Sequence, residues 1–171
     1  TYNRPDALLI TLQSVERQKH LPSEVIIADD GSNEETHKLI KDFGLQSKLK
    51  IIHSFQKDKG FRAAKSRNRA ISKASGQYIV MIDGDMILHK DFIYDHFRSA
   101  QIGYFIQGTR VLLSSIKTKE VLKTSIFTPN FLKPGLINRK NAIHSNFLSK
   151  IFTIKKNFLR GINTCNVSFY K

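Results

Sequence analysis

The chain has 171 residues, with 28 Lys and Arg against 14 Asp and Glu, which gives a formal net charge of +14. This length suits one domain with a sizeable core, and the sequence contains no apolar run long enough to predict a membrane-spanning helix. The single cysteine, Cys165, excludes an internal disulfide framework and fits a reducing compartment. Histidine and cysteine are too scattered along the chain to predict a zinc site. We therefore expect a soluble domain.

Helical and strand patterns alternate along the chain. "RPDALLITLQSVERQKH" has apolar residues at helical spacing, with Pro5 suited to the first helical position. "SEVIIADDGS" predicts a strand, after which Ser32 and Glu35 predict a capping box for a helix over "EETHKLIKDF" that Gly44 ends. "LKIIHSF" predicts the next strand, residues 62–75 the next helix and "QYIVMI" the strand after it. This order predicts an α/β fold with a Rossmann-like, mostly parallel sheet and helices on both faces.

Carboxylates follow two of the predicted strands. Asp29 and Asp30 end the first, while Asp83 and Asp85, separated only by Gly84, follow "YIVMI". Such sheets bind ligands beyond the carboxyl ends of their strands, so we expect both acidic pairs to face one crevice. Adjacent carboxylates repel each other, and Mg²⁺ or Mn²⁺ would compensate their charge. The alternative is a turn in which an aspartate caps the backbone.

One arginine interrupts the apolar face of the helix predicted over residues 62–75. At helical spacing this face comprises Ala63, Ala64, Ala70, Ile71 and Ala74, and Ser66 lies on the opposite, polar face. Arg67 points out of the middle of the apolar face, where an unpaired guanidinium would cost several kcal/mol. Its predicted partners are the strand-end carboxylates or an anionic or carbonyl-bearing ligand. A purely structural ion pair with an aspartate is the alternative.

The positive charge is concentrated at the end of the chain. Glu120 is the last acidic residue, and residues 121–171 carry only basic charges. Such a segment favours binding to an anionic surface, such as phospholipid, nucleic acid or a sugar phosphate. The alternative is that it forms a solvated part of the protein's own surface. Its interleaved Phe, Leu and Ile side chains would suit a membrane face or cover the sheet. We expect a cytoplasmic protein, with peripheral contact at the inner face of the cell membrane as an alternative.

Several ordered segments together resemble a known family. "TYNRP", "VIIADDGS", "DKGFRAAKSRNRAI", "GQYIVMIDGDMILHKDFI" and "GYFIQGTRVLL" resemble the successive signatures of the family 2 glycosyltransferases of the GT-A fold. Within that family they resemble the glycosyltransferase domains of bacterial chondroitin-type polymerases. The resemblance spans residues 1–113, and "RGINTCNVSF" near the end resembles the family's G-x-N-x-S-F segment. It implies that residues 1–113 form the nucleotide-sugar-binding half of the domain, ending past the D-x-D. Residues 114–171 would then form a basic acceptor-side part, which we expect to be truncated.

The resemblance implies an inverting transfer of a sugar from a nucleotide sugar, usually a UDP-sugar, in bacterial surface polysaccharide synthesis. The acceptor would be a saccharide or lipid-linked glycan, the cofactor Mn²⁺ or Mg²⁺, and nucleic acid would not be a partner. Asp85 would bind the metal directly, Asp83 would assist it or reach the ribose, and Asp30 would bind the base. The implied nucleotide-sugar-binding residues are Thr1, Tyr2, Arg4, Asp30, Gly60, Arg67, Asp83 and Gly84. The residues implied on the sugar and acceptor side are Met86, Gln107 and Arg110.

The catalytic base is the point at which the sequence departs from the family. That base is an acidic residue downstream of the G-x-N-x-S-F segment, whereas this chain has no Asp or Glu after Glu120. We expect the base to lie beyond Lys171, with an earlier residue such as Asp58 or Asp91 as the alternative.

Two other classes compete with a glycosyltransferase. A sugar-phosphate nucleotidyltransferase would need a glycine-rich phosphate loop near its first strand, and "TYNRPDALL" contains no glycine. A non-catalytic nucleic-acid-binding module would use the basic segment and its phenylalanines as a stacking surface. A salt-dependent DNA-binding assay would separate this second class from a glycosyltransferase.

Overall fold

The computed structural model describes residues 1–125, 134–142 and 161–171, together with residues 145, 149, 151 and 153. Its helices are α1 (Pro5–Glu16), α2 (Glu34–Gln46), α3 (Ala63–Lys73), α4 (Phe92–Ser99) and α5 (Ser115–Thr124), with a short 3-10 helix over Arg139–Ala142. Its strands are β1 (Val25–Asp29), β2 (Ile51–Phe55), β3 (Tyr78–Ile82), β4 (Phe105–Gln107), β5 (Leu112–Leu113), β6 (Leu136–Ile137) and β7 (Asn166–Tyr170). Within these described residues, no helix combines the length and apolar character needed to cross a membrane.

The first layer of the fold is built on the parallel pair β1 and β2. Leu8 and Leu12 of α1 pack with Ile27 of β1 and Ile40 of α2 in one buried cluster. Side chains alternate along a strand, so α1 and α2 cover the face of β1 that carries Ile27. α3 contacts the same two strands without contributing to this cluster, which places it on the other face. Helices therefore lie on both faces, as the sequence predicts.

The other described strands pair in the antiparallel sense. β7 lies between β3 and β4 and pairs with both of them, and β5 pairs with β6. The predicted α/β class is confirmed, but the described strands form one parallel pair and two separate antiparallel sheets rather than one mostly parallel sheet. In the three-stranded sheet the central strand is β7, which comes from the far end of the chain and runs against β3.

Two local predictions about helix ends are wrong. Asn33, rather than Ser32, caps α2, because its side-chain oxygen accepts the backbone N–H of Thr36 at 3.2 Å. The Ser32 hydroxyl instead accepts the backbone N–H of Asn3 at 3.1 Å. Gly44 does not end α2, which continues to Gln46. In α1, by contrast, Pro5 occupies the first turn as predicted.

The burial pattern of α3 also differs in part from the predicted pattern. Ala70 is buried as expected, but Ser66 is buried with it, whereas Ala64 is exposed. A serine side chain is small enough to lie against a sheet, so Ser66 is buried although it is polar. The predicted contact face of α3 is therefore correct around Ala70 and shifted near the start of the helix.

Candidate functional site

The carboxylate at the end of β1 is held by two donors. Oδ2 of Asp30 accepts the backbone N–H of Arg62 at 2.7 Å, and Oδ1 accepts Nε2 of Gln56 at 2.5 Å. Asp30 is buried, and Oε1 of Gln56 beside it is buried without a hydrogen-bond partner among the described residues. This pair therefore offers acceptor oxygens and few donors to a ligand. Gln56 is not among the site residues predicted from the sequence, although its polar side chain directly follows β2.

The carboxylate at the end of β3 is paired with two arginines. Nη2 of Arg67 lies 3.2 Å from Oδ1 of Asp83, which confirms the predicted pairing of this helix arginine with a strand-end carboxylate. Nη1 of Arg110 lies 3.9 Å from the other oxygen of Asp83. Two guanidinium groups thus compensate the charge of Asp83 before any metal is considered. Arg110, implied on the sugar and acceptor side by the resemblance, lies next to the D-x-D.

The second carboxylate of the D-x-D is available to a ligand. Asp85 is exposed, and within the described part of the chain its carboxylate has no hydrogen-bond or ion-pair partner. Hydrogen bonds to Asp6 raise the pKa of the Arg4 guanidinium, and the charge of Asp85 adds a smaller effect in the same direction. The donor set fits Mg²⁺ or Mn²⁺, which take one or two carboxylates together with substrate phosphates and water.

Arginines balance the carboxylates of the D-x-D. Arg67 and Arg110 lie at Asp83, whereas Arg4 forms an ion pair with Asp6 at 2.9 Å. A divalent cation bound at Asp85 would make the local field positive and favour an anionic ligand.

Thr1 contacts residues at the ends of both β1 and β3. Its carbonyl oxygen accepts the backbone N–H of Asp30 at 3.1 Å, and its own nitrogen donates to the carbonyl of Ala28 at 2.6 Å. A Cβ added to Gly84 would lie 3.4 Å from the Cβ of Thr1, so Gly84 lies against the same residue. Oγ1 of Thr1 is buried and has no hydrogen-bond partner in the described residues. The structure therefore brings Asp30 and the D-x-D to one edge.

A loop after β2 borders this edge. Asp58 accepts the Tyr2 hydroxyl at 2.9 Å and the backbone N–H of Gly60 at 3.0 Å. The hydrogen bond from Gly60, followed by that from Tyr2, lowers the pKa of Asp58. Gly31 has a φ of +101°, and a Cβ there would lie 2.5 Å from the Cα of Asp58. Glycine at this position thus allows the loop to approach the end of β1.

Both earlier residues considered as a catalytic base have partners of their own. Asp58 holds Tyr2 and Gly60, and Asp91 forms an ion pair with Lys19 at 2.8 Å. Hydrogen bonding to Lys19 lowers the pKa of Asp91, as the donors to Asp58 do for that carboxyl. Low carboxyl pKa values suit an ion-pair role better than proton abstraction near neutral pH.

Asp29 lies elsewhere than expected, whereas the placement of Met86 and Gln107 on the sugar and acceptor side stays a prediction. Asp29 is fully buried and does not share the crevice with Asp30, because alternate residues of a strand point to opposite faces. Met86 packs against the buried cluster of Val15, Leu49 and Leu88. Gln107 accepts the backbone N–H of Asn163 at 2.9 Å through its side-chain oxygen. Met86 is therefore held by apolar contacts, whereas Gln107 is exposed and its contact uses only the side-chain oxygen.

Comparison with known proteins identifies the family of this chain. The family described as glycosyl transferase family 2 matches residues 1–167, and the chain belongs to that family. Hyaluronan synthase from Pasteurella multocida is 42% identical over 87 residues, covering 50% of this chain and 9% of that protein. Chondroitin synthase from Escherichia coli is 39% identical over 87 residues, covering 50% of this chain and 12% of that protein. Both matches thus span about a tenth of the relatives' length.

A solved structure shares the fold. The mannosyltransferase PcManGT from Pyrobaculum calidifontis, in complex with GDP-Man and Mn²⁺, matches with a TM-score of 0.53 and 18% sequence identity. The match covers 73% of this chain and 37% of that one. The predicted GT-A fold and the resemblance to family 2, including its polysaccharide synthases, are confirmed. Membership of this family also favours glycosyl transfer over the nucleotidyl-transfer and nucleic-acid-binding alternatives.

Proposed function

We propose that this chain is the donor-binding part of an inverting glycosyltransferase of bacterial surface polysaccharide synthesis. Its ligand is a nucleotide sugar, a UDP-sugar, and the acceptor is a saccharide or lipid-linked glycan. The observation that carries the proposal is the convergence at Thr1 of Asp30 and the D-x-D with its arginines. Family membership supports the transfer of a sugar, and the polysaccharide synthases among the relatives support the class of product.

Base recognition is assigned to Asp30 and Gln56. Uracil offers an N–H at its N3 position, whereas the N3 of cytosine carries no hydrogen and can only accept. A carboxylate is an acceptor, and Asp30 has lone pairs left after binding Arg62 and Gln56. A base with a ring N–H is therefore favoured over cytosine, and the family resemblance favours uracil among such bases.

Diphosphate binding is assigned to the D-x-D and its arginines. Asp85 supplies the free carboxylate for Mn²⁺ or Mg²⁺, with Asp83 as an assisting group held by Arg67 and Arg110. A bound divalent cation supplies Lewis-acid stabilisation of the charge that grows on the departing nucleoside diphosphate. Arg67 and Arg110 hold two fixed positive charges beside that position, which stabilises the same charge without a reorganisation of solvent.

The base that deprotonates the acceptor hydroxyl is not assigned to Asp58 or Asp91. Both carboxylates are engaged with other residues, and the pKa of each is lowered by its partners. We propose that this base lies outside residues 1–171, as the family's acidic motif does. Donor binding, rather than sugar transfer, is therefore the property to measure on this chain.

The test is a comparison of UDP and CDP binding by calorimetry in the presence of Mn²⁺. One hydrogen bond to a charged group contributes about 1.5–3 kcal/mol, so we expect UDP to bind at least about tenfold more tightly than CDP. Asp30→Asn should lose most of this preference. Asp42→Asn, which changes an exposed aspartate of α2, should retain it. Equal binding of UDP and CDP by the unaltered protein would contradict the assignment.

A further inference from the structure

A second cluster of ligating side chains lies on the other face of β1. His53 of β2 is paired in register with Ile27, and Ile27 and Asp29 point to the same face of β1. His53 therefore faces Asp29, and His37 in the first turn of α2 reaches the same place. Asp29 is fully buried, while about a quarter of each histidine side chain is exposed. The cluster shares no residue with the D-x-D.

The ligand atoms of this cluster converge. Nε2 of His53 lies 2.7 Å from Oδ2 of Asp29, and Nε2 of His37 lies 3.6 Å from the same oxygen. One ligand atom from each of the three residues lies within 4.8 Å of the others. Nε2 of His37 is buried and has no hydrogen-bond partner among the described residues. An unpaired imidazole nitrogen thus points at an ionised carboxylate and a second imidazole.

The surrounding contacts orient all three groups. The other oxygen of Asp29 accepts the backbone N–H groups of Gly31 at 3.1 Å and Ser32 at 2.8 Å, which leaves Oδ2 to face the histidines. The rings of His37 and His53 each make an edge contact with Phe55, which limits their rotation. Outer contacts of this kind fix the orientation of metal ligands in known sites.

Two of the three ligand-atom distances bracket the spacing that a transition-metal ion requires. Zn²⁺ binds nitrogen and oxygen at about 2.0–2.2 Å in tetrahedral geometry, which places ligand atoms about 3.3 Å apart. The contact between Asp29 and His53 is shorter than this and that between Asp29 and His37 is slightly longer, while all three ligand atoms lie within 4.8 Å of one another. Metal binding would therefore require the imidazole rings to shift. Two imidazoles favour zinc-like ions over Mg²⁺ or Mn²⁺.

We propose that Asp29, His37 and His53 form a binding site for Zn²⁺ or a similar transition-metal ion. The site is distinct in both place and ligand chemistry from the oxygen-ligand site at Asp85. Three protein ligands leave a fourth coordination position for water. Because its ligands come from β1, β2 and α2, the ion would tie these elements together beneath the base-binding edge.

The test uses metal-free protein titrated with Co²⁺, followed by displacement with Zn²⁺. We expect the strong visible absorption of four-coordinate Co²⁺ at one ion per chain and its loss on adding Zn²⁺. His37→Phe keeps the ring contact with Phe55 but removes the ligand nitrogen. It should weaken Zn²⁺ binding by at least about 100-fold, the upper end of what changes to outer contacts cause. His37→Gln provides a second variant, and melting in a chelator verifies that both are folded.

Two control variants make the result specific. His20→Phe removes an exposed histidine that stacks on Tyr94, and Asp85→Ala removes the D-x-D carboxylate. Both should bind Zn²⁺ and Co²⁺ as the unaltered protein does. The proposal is overturned if the Co²⁺ spectrum is that of a six-coordinate ion, or if both His37 variants bind as tightly as the unaltered protein. Loss of the site in Asp85→Ala would also overturn it, because the ion would then occupy the D-x-D.

Discussion

Replacing Asp29 by Asn isolates the energetic effect of one buried carboxylate. Burial alone would raise the pKa of Asp29, but hydrogen bonds from His53 and Ser32 outweigh it and lower the pKa from 3.8 to about 2. A difference of nearly two pKa units corresponds to about 2 kcal/mol of folding stability. Asn keeps one acceptor for Gly31 or Ser32 but carries no charge. At pH 7 we expect Asp29→Asn to unfold with a free energy about 2 kcal/mol lower.

The lowered pKa of Asp29 determines how this stability difference changes with pH. Because the folded-state pKa of Asp29 is lower than the unfolded value, its contribution is complete above about pH 4 and is lost as the pH falls through about 2. The difference in unfolding free energy between the unaltered protein and the variant should therefore shrink over that interval. Urea unfolding followed by circular dichroism, with a chelator present to remove metal effects, measures it.

The exposed Asp42→Asn serves as the matched control for this experiment and should change stability by less than about 0.5 kcal/mol. Equal unfolding free energies of Asp29→Asn and the unaltered protein at pH 7 would contradict this prediction. A difference in unfolding free energy that stays constant down to pH 2 would contradict it as well.

Two further substitutions test the packing around the site. Leu12 is 2% exposed in the cluster between α1, α2 and β1, so Leu12→Ala should lower the free energy of unfolding by about 2–5 kcal/mol; a loss below about 1 kcal/mol in urea unfolding would contradict this packing. Gly31→Ala combines a φ of +101° with a clash against Asp58 and should weaken UDP binding as well as lower the melting temperature. Gly103→Ala, with a φ of +82° and no atom within 4 Å of an added Cβ, carries only the backbone cost and should retain UDP binding.

The sequence predicted the structure best where the local pattern or the charge of a residue allows few arrangements. Arg67 interrupts an apolar helix face, and a guanidinium there must find a carboxylate, so its contact with Asp83 could be predicted. The strands before Asp30 and Asp83 could also be predicted, because short β-branched runs end in turn residues there. These features depend on local pattern and on charge pairing.

The misses come from contacts between segments distant in the chain. Asn33 and Ser32 are equally good helix caps by residue type. The Ser32 hydroxyl accepts the backbone N–H of Asn3 instead, so Asn33 caps α2. Histidine and cysteine are too scattered along the chain to predict a zinc site, but strand register brings His53 to Asp29 and α2 brings His37 to the same place. Spacing along the chain cannot reveal a cluster that arises from the pairing of two strands and a helix.

The antiparallel strand β7 was missed for a related reason. Its sequence follows a long basic segment, and its partners β3 and β4 precede it by more than 50 residues. A pattern of alternating strands and helices favours parallel pairing, and only the return of the chain from the far end reverses it. The membrane and anionic-surface predictions for the basic segment fall largely outside the described residues and stay predictions.

The most direct measurement of the central claim is calorimetric titration of UDP and of uridine, each with and without Mn²⁺, into the unaltered protein and Asp85→Ala. We expect Mn²⁺ to strengthen the binding of UDP but not of uridine, because the ion would link Asp85 to the diphosphate. We also expect Asp85→Ala to remove this strengthening and the exposed control Asp42→Asn to preserve it. If Mn²⁺ strengthens UDP binding equally in Asp85→Ala, or if no nucleoside diphosphate binds, the proposed donor site is contradicted.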